Sequence, residues 1–208
     1  VKCCGRGLTE AELVLLDSDP ALVPDELVQK VAWHSPTCFD RDEYEAAWRR
    51  LTSRVIQVLH NAPDSQLTAG LWWARWTDWP EDERAAFRAE MTEVLVSAAG
   101  DERRWPGLDA VFQAAAQLDQ DLTPWLRLVD GFPDAVVAHL ADFWSLDVWI
   151  SGGHYGSRLL WENPSATEQL VAWLVAPALR DRLSEMDGQV AQRAVEQIGW
   201  HLLEISTR

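Results

Sequence analysis

Apolar residues recur at intervals of three and four along most of the chain and nowhere alternate for long, the period of amphipathic helices rather than strands. Thr9-Glu10-Ala11-Glu12 reads as a capping box opening a short helix through Leu16. Pro24-Asp25-Glu26 starts a second, with Leu27, Val28 and Val31 inward and Ser35-Pro36 as its stop. Asp40 caps a longer helix whose Tyr44, Trp48, Leu51, Val55 and Val58 step with helical period to His60. Pro80-Glu81-Asp82-Glu83 opens a helix that buries Phe87, Met91, Val94, Leu95 and Ala98 and closes at Gly100. Further helices are expected over 108–118, from Thr123-Pro124 to Gly131, and from Pro133-Asp134 through Val136, Val137, Leu140, Phe143 and Trp144. Ser165-Ala166-Thr167-Glu168 reads as another capping box, ahead of a helix with Leu170, Trp173 and Leu174 that bends near Pro177. After Gly188 the last helix sets Ala191, Ala194, Val195, Ile198 and Leu202 on one side. The expected fold class is all-α, a single domain of about nine helices over residues 9–208 behind a frayed stretch at 1–8.

Two stretches stand apart from this grammar. Leu71–Pro80 holds four of the chain's thirteen tryptophans. A helix running from Ser65 to Trp76 puts Trp72, Trp76 and Trp79 on one face, either as a core stripe or as an aromatic binding surface. Residues 146–164 break the helical pattern with Val148-Trp149-Ile150, a Gly152-Gly153 pair and Asn163-Pro164, and read as an irregular crossover.

Three positions share one local rule: Val23-Pro24-Asp25, Trp79-Pro80-Glu81 and Phe132-Pro133-Asp134 each read apolar, proline, acid. Each can open a unit of two or three helices, with units beginning near 24, 80 and 133. With this spacing, residues 24–204 resemble α-solenoid proteins of the HEAT or armadillo kind. The resemblance rests on helix spacing and not on a diagnostic motif. It implies a scaffold that presents a surface to a partner. Some HEAT-like proteins are DNA-base glycosylases, but their clefts are basic.

Charge bears on that point. The net charge is −15, which opposes direct binding to phosphate backbones or anionic membranes and leaves a basic protein partner as the compatible class. Cys3, Cys4 and Cys38 are too few and too odd in number for a disulfide framework, the N-terminus lacks an apolar signal region, and Leu170–Leu179 is too short to span a bilayer. A cytoplasmic location is the expectation.

Candidate chemistry is sparse. Cys3, Cys4, His34 and Cys38 supply soft ligands, but adjacent cysteines suit one tetrahedral ion poorly, and free thiols are the simpler reading. His139-x-x-Asp142 and His201-x-x-Glu204 reverse the order of the di-iron helix motif, so no metal or other cofactor is expected. The loop around Gly152–Arg158 gathers His154, Tyr155 and Arg158, with Asp147 and Trp149 before it. Those four side chains, His154, Tyr155, Arg158 and Asp147, are the catalytic candidates, and Trp72, Trp76, Trp79 and Trp149 the binding candidates. Nucleotide-binding glycine loops, the zinc-protease motif and the nucleophile elbow are absent from the sequence. The expectation is a non-enzymatic protein-binding module, an adaptor, inhibitor or immunity-type factor. The alternative is an enzyme or small-molecule-binding protein with a Trp-lined pocket under residues 147–158.

Overall fold

The helical period is realised as eleven α-helices in a computed structural model, which describes residues 7–33, 40–61, 66–119, 121–151, 154–157 and 164–206. The chain divides into two compact units, Val1–Gly100 with Ala110–Leu118, and Asp101–Asp109 with Asp119–Arg208. Among the described residues no helix is long and apolar enough to cross a membrane.

The first unit opens with α1 (Glu10–Leu16), whose capping box is complete: Glu12 N–H donates to the Thr9 hydroxyl, and Thr9 N–H to the Glu12 carboxylate at 2.6 Å. The same carboxylate takes the Lys30 ammonium at 2.7 Å, tying α1 to α2 (Asp25–Ala32). α3 (Arg41–Asn61) buries Tyr44, Trp48, Leu51, Val55 and Val58, as the periodicity requires. α4 (Gln66–Trp73) returns against it, and α5 (Glu81–Ala99) then runs in the direction of α3. That direction follows from the contacts: Arg49 near the start of α3 pairs with Glu83 near the start of α5, while His60 and Asn61 share a groove with Val94 and Ser97 at the far ends. Residues 110–118 of α6 (Leu108–Asp119) belong to this unit.

Trp48 fixes how closely α3 and α4 approach. It is fully buried, and a Cβ built on Gly70 would fall 1.8 Å from its Cζ2. Only a hydrogen at position 70 admits the ring.

The tryptophan stretch departs from the expected continuous helix. α4 ends at Trp73, and Arg75 adopts the left-handed region (φ 53°, ψ 42°), so a 3₁₀ turn, Trp76–Asp78, leaves in a new direction. Trp72, Trp76 and Trp79 therefore do not share a face. Trp72 and Trp73 are exposed, 41% and 57%, whereas Trp76 and Trp79 are buried. The Trp79 indole N–H donates to the Ala74 carbonyl at 3.0 Å, satisfying an acceptor that the broken helix leaves over.

The second unit holds the 3₁₀ helix Glu102–Gly107, α7 (Thr123–Asp130), α8 (Asp134–Asp147), α9 (Pro164–Leu174), α10 (Pro177–Ser184) and α11 (Gln189–Ser206). α8 and α11 pack side by side in the same direction, since Asp142 pairs with Arg193 and the Ser145 carbonyl meets His201 one turn further on. Within the stretch read as irregular, β1 (Val148–Ser151) and β2 (His154–Ser157) form an antiparallel ribbon, with Val148 opposite Ser157 and Trp149 opposite Gly156. Pro177 does not bend a helix but separates two, α9 and α10. α9 begins at Pro164, ahead of the Ser165 expected as its cap. Phe143, on α8, is 41% exposed. Pro24, Pro80 and Pro133 each stand one residue before their helix, with φ between −62° and −50°, and the acid after each takes the first helical position.

Two outcomes follow for stability. Replacing Gly70 with alanine is expected to lower the urea-unfolding free energy by about 1–3 kcal/mol, by overpacking against Trp48. The same change at Gly199, on α11 with nothing within 4 Å of the new methyl, is expected to raise it by about 0.5–1 kcal/mol. The Lys30 ammonium, then the Thr9 backbone N–H, hold the Glu12 carboxyl down to about 2 from an ordinary 4.5. Because the folded value is depressed, the pair's contribution is complete above the ordinary value and is lost as pH falls toward 2. An NMR titration of the Glu12 carboxyl is expected to show that low midpoint, returning toward the ordinary value in Lys30→Met.

Candidate functional site

The buried half of the tryptophan stretch is structural. Trp76 meets Trp79 and Phe87 edge to face, with ring centroids 6.0 and 5.5 Å apart, and the guanidinium groups of Arg88 and Arg49 lie over Trp76 and Trp79 at 5.3 and 5.8 Å. The Trp76 indole is wholly buried, and Trp79 shows only an edge at the α3–α5 seam. Trp72 and Trp73 remain accessible.

The seam between α3 and α5 leaves two adjoining depressions. One, about 370 Å³, is lined by Arg49, Ser53, Trp79, Glu83 and Glu90; the other, about 500 Å³, by Ile56, His60, Glu90, Glu93, Val94 and Ser97. Glu90 borders both, so they form one groove along the seam. The Glu83 carboxylate is taken by Arg49. Glu90 and Glu93, one helical turn apart, make no hydrogen bond or ion pair among the described residues.

The loop candidates are dispersed differently from the expectation. His154 and Tyr155 occupy the first two positions of β2, opposite Ser151 and Ile150, and Trp149 lies on β1. Arg158 and the Gly152-Gly153 pair lie outside the described residues, as do Cys3, Cys4, His34 and Cys38. Asp147, the last residue of α8, accepts the hydroxyl proton of buried Ser157 at 2.5 Å, and so anchors the end of the hairpin to the helix. His139 and Asp142 are drawn apart in role, His139 bonding the Trp105 carbonyl at 3.3 Å and Asp142 the Arg193 guanidinium at 2.7 Å. His201 Nε2 donates to the Ser145 carbonyl at 2.7 Å. No group of three or more metal-ligating side chains occurs among the described residues.

A cleft absent from the sequence reading opens in the second unit. About 460 Å³ in volume, it lies between the first turns of α8 and α11, with Asp134, Ala135, Ala138 and His139 on one wall and Met186–Ala191 on the other. Trp105 closes it, its ring 5.5 Å from the His139 ring. Gly188, at φ 134°, makes the turn into α11. Single residues from three distant stretches build this wall, and none forms a motif; the only local sign in the sequence was the glycine.

Comparison with protein families, curated proteins and solved structures finds no match.

Arg182, from α10, secures the cleft's outer wall. Its guanidinium donates to the Asp134 carboxylate at 2.9 Å and to the carbonyls of Asp130 and Phe132, both at 2.8 Å, clamping the α7–α8 turn. Lysine keeps the charge but cannot reproduce that three-way fork. Arg182→Lys is expected to lower stability by about 1–2 kcal/mol in urea unfolding.

Proposed function

We propose that the protein is a non-enzymatic binding module, an adaptor, inhibitor or immunity-type factor, that takes a basic segment of a partner protein along the α3–α5 groove. The observation that carries this reading is the Glu90–Glu93 pair, two unneutralised carboxylates facing an elongated depression on a chain of net charge −15. Like charges one turn apart disfavour each other on an isolated helix, and a cationic side chain between them relieves that cost. The apolar floor supplied by Ile56 and Val94 gives such a segment surface to bury. The partner is thus a lysine- or arginine-bearing protein, and nucleic acid and membrane surfaces are disfavoured.

The finer architectural reading, a HEAT-like solenoid, belongs to the same proposal. It is supported by the three apolar-proline-acid helix starts and by like-directed helix pairs in each unit, the relation that equivalent helices of successive repeats adopt. A cytoplasmic setting is supported by three cysteines in 208 residues.

The test is capture of a stoichiometric partner from the native cell. Binding is expected to weaken steeply with added salt and to fall at least about tenfold in Glu90→Lys/Glu93→Lys, while Trp72→Ser/Trp73→Ser leaves it intact. Loss in the tryptophan variant alone moves the interface to the exposed indoles. Binding insensitive to salt and to both variants ends the proposal.

A further inference from the structure

The cleft of the second unit has a chemistry of its own. Its walls are apolar and soft: Ala135, Ala138 and Val190 with the Met186 thioether, and the Trp105 indole across the mouth. Its polar side chains are the Asp134 and Asp187 carboxylates, the His139 imidazole and the Gln189 amide, which can donate as well as accept. His139 bonds the Trp105 carbonyl through Nε2, and a carbonyl can only accept, so Nε2 is the donor and in the neutral ring Nδ1 keeps a lone pair. No described group bonds that Nδ1. The Asp187 carboxylate, on the turn before α11, makes no hydrogen bond or ion pair among the described residues, whereas Asp134 is neutralised by Arg182.

The first turns of α8 and α11 flank the cleft and would by themselves favour an anion. Asp187, just ahead of α11, offsets that terminus and the chain's overall charge adds in the same sense, whereas Asp134 at the first position of α8 is already paired with Arg182. What remains is an aromatic wall, a lone pair and one free carboxylate.

The geometry points to a binding site for a small organic cation, a primary or substituted amine joined to one apolar ring, held in the Trp105–His139–Asp187 cleft. The ring stacks beside Trp105 and Met186. The ammonium donates to Asp187 and to His139 Nδ1, with the indole face adding a cation–π contact. A volume of about 460 Å³ admits a ring with a short arm.

The test uses three probes of one shape: 2-phenylethylamine, 3-phenylpropionate and 2-phenylethanol, each titrated into the full chain and followed by NMR shifts of the Trp105 and His139 side chains. The amine is expected to saturate, with the alcohol at least about tenfold weaker and the acid weaker still. Asp187→Asn, on an exposed turn where folding is undisturbed, is expected to cut amine affinity about tenfold and leave the alcohol unchanged. Equal or tighter binding of the acid overturns the proposal in favour of the helix termini. Equal binding of amine and alcohol overturns the charge recognition, and no saturation up to about 10 mM overturns the site.

Discussion

The close seating of Trp48 on Gly70 is the constraint from which the first unit's geometry descends. An indole with no room for a β-carbon beneath it sets the α3–α4 spacing at its minimum, and interiors packed to this density transmit displacement rather than absorb it. Because α4 lies so close, its last turn brings Ala74 and Arg75 within reach of α3, where Arg75 meets Glu45 at 2.8 Å. Arg75 is also the left-handed residue at which the chain turns. The turn in turn delivers α5 alongside α3 in the same direction, and the groove follows the seam between these two like-directed helices.

Charge is distributed with a similar economy. Six basic side chains are committed to acids on other elements: Lys30 to Glu12, Arg49 to Glu83, Arg54 to Asp25, Arg75 to Glu45, Arg182 to Asp134 and Arg193 to Asp142. Each joins separate elements, so the scarce cations act as ties between helices. Exposed pairs of this kind contribute little individually, and their larger effect is on register and direction. The acids in excess are left facing water, and the molecule's exterior field follows from that remainder.

Most of the helical framework was legible in the sequence, because caps and period act locally. Thr9 with Glu12, the three proline–acid starts, Gly100 and Gly131 all mark helix ends by short-range hydrogen bonding or backbone preference. The misreadings occurred where a distant partner decides. Arg75 carries no sign of a left-handed turn in its residue type, and the Glu45 it pairs with lies thirty positions away. The ribbon at 148–157 is too short for a period-two signal to rise above its glycines. Of the candidate sites, the acidic excess was readable as composition, but neither its gathering into a groove nor the cleft closed by Trp105 was, because both are assembled from residues that only folding makes neighbours.

The left-handed arginine has one more implication. The same ten residues admit two courses, an unbroken rod or a rod with a corner, and a single pair of backbone angles selects between them. Glycine at position 75 would entrench the corner, whereas a strong helix former there would favour the rod and exchange the indoles that meet water for those that do not. In a lineage of such chains, one surface could thus be exchanged for another without altering any residue that composes it.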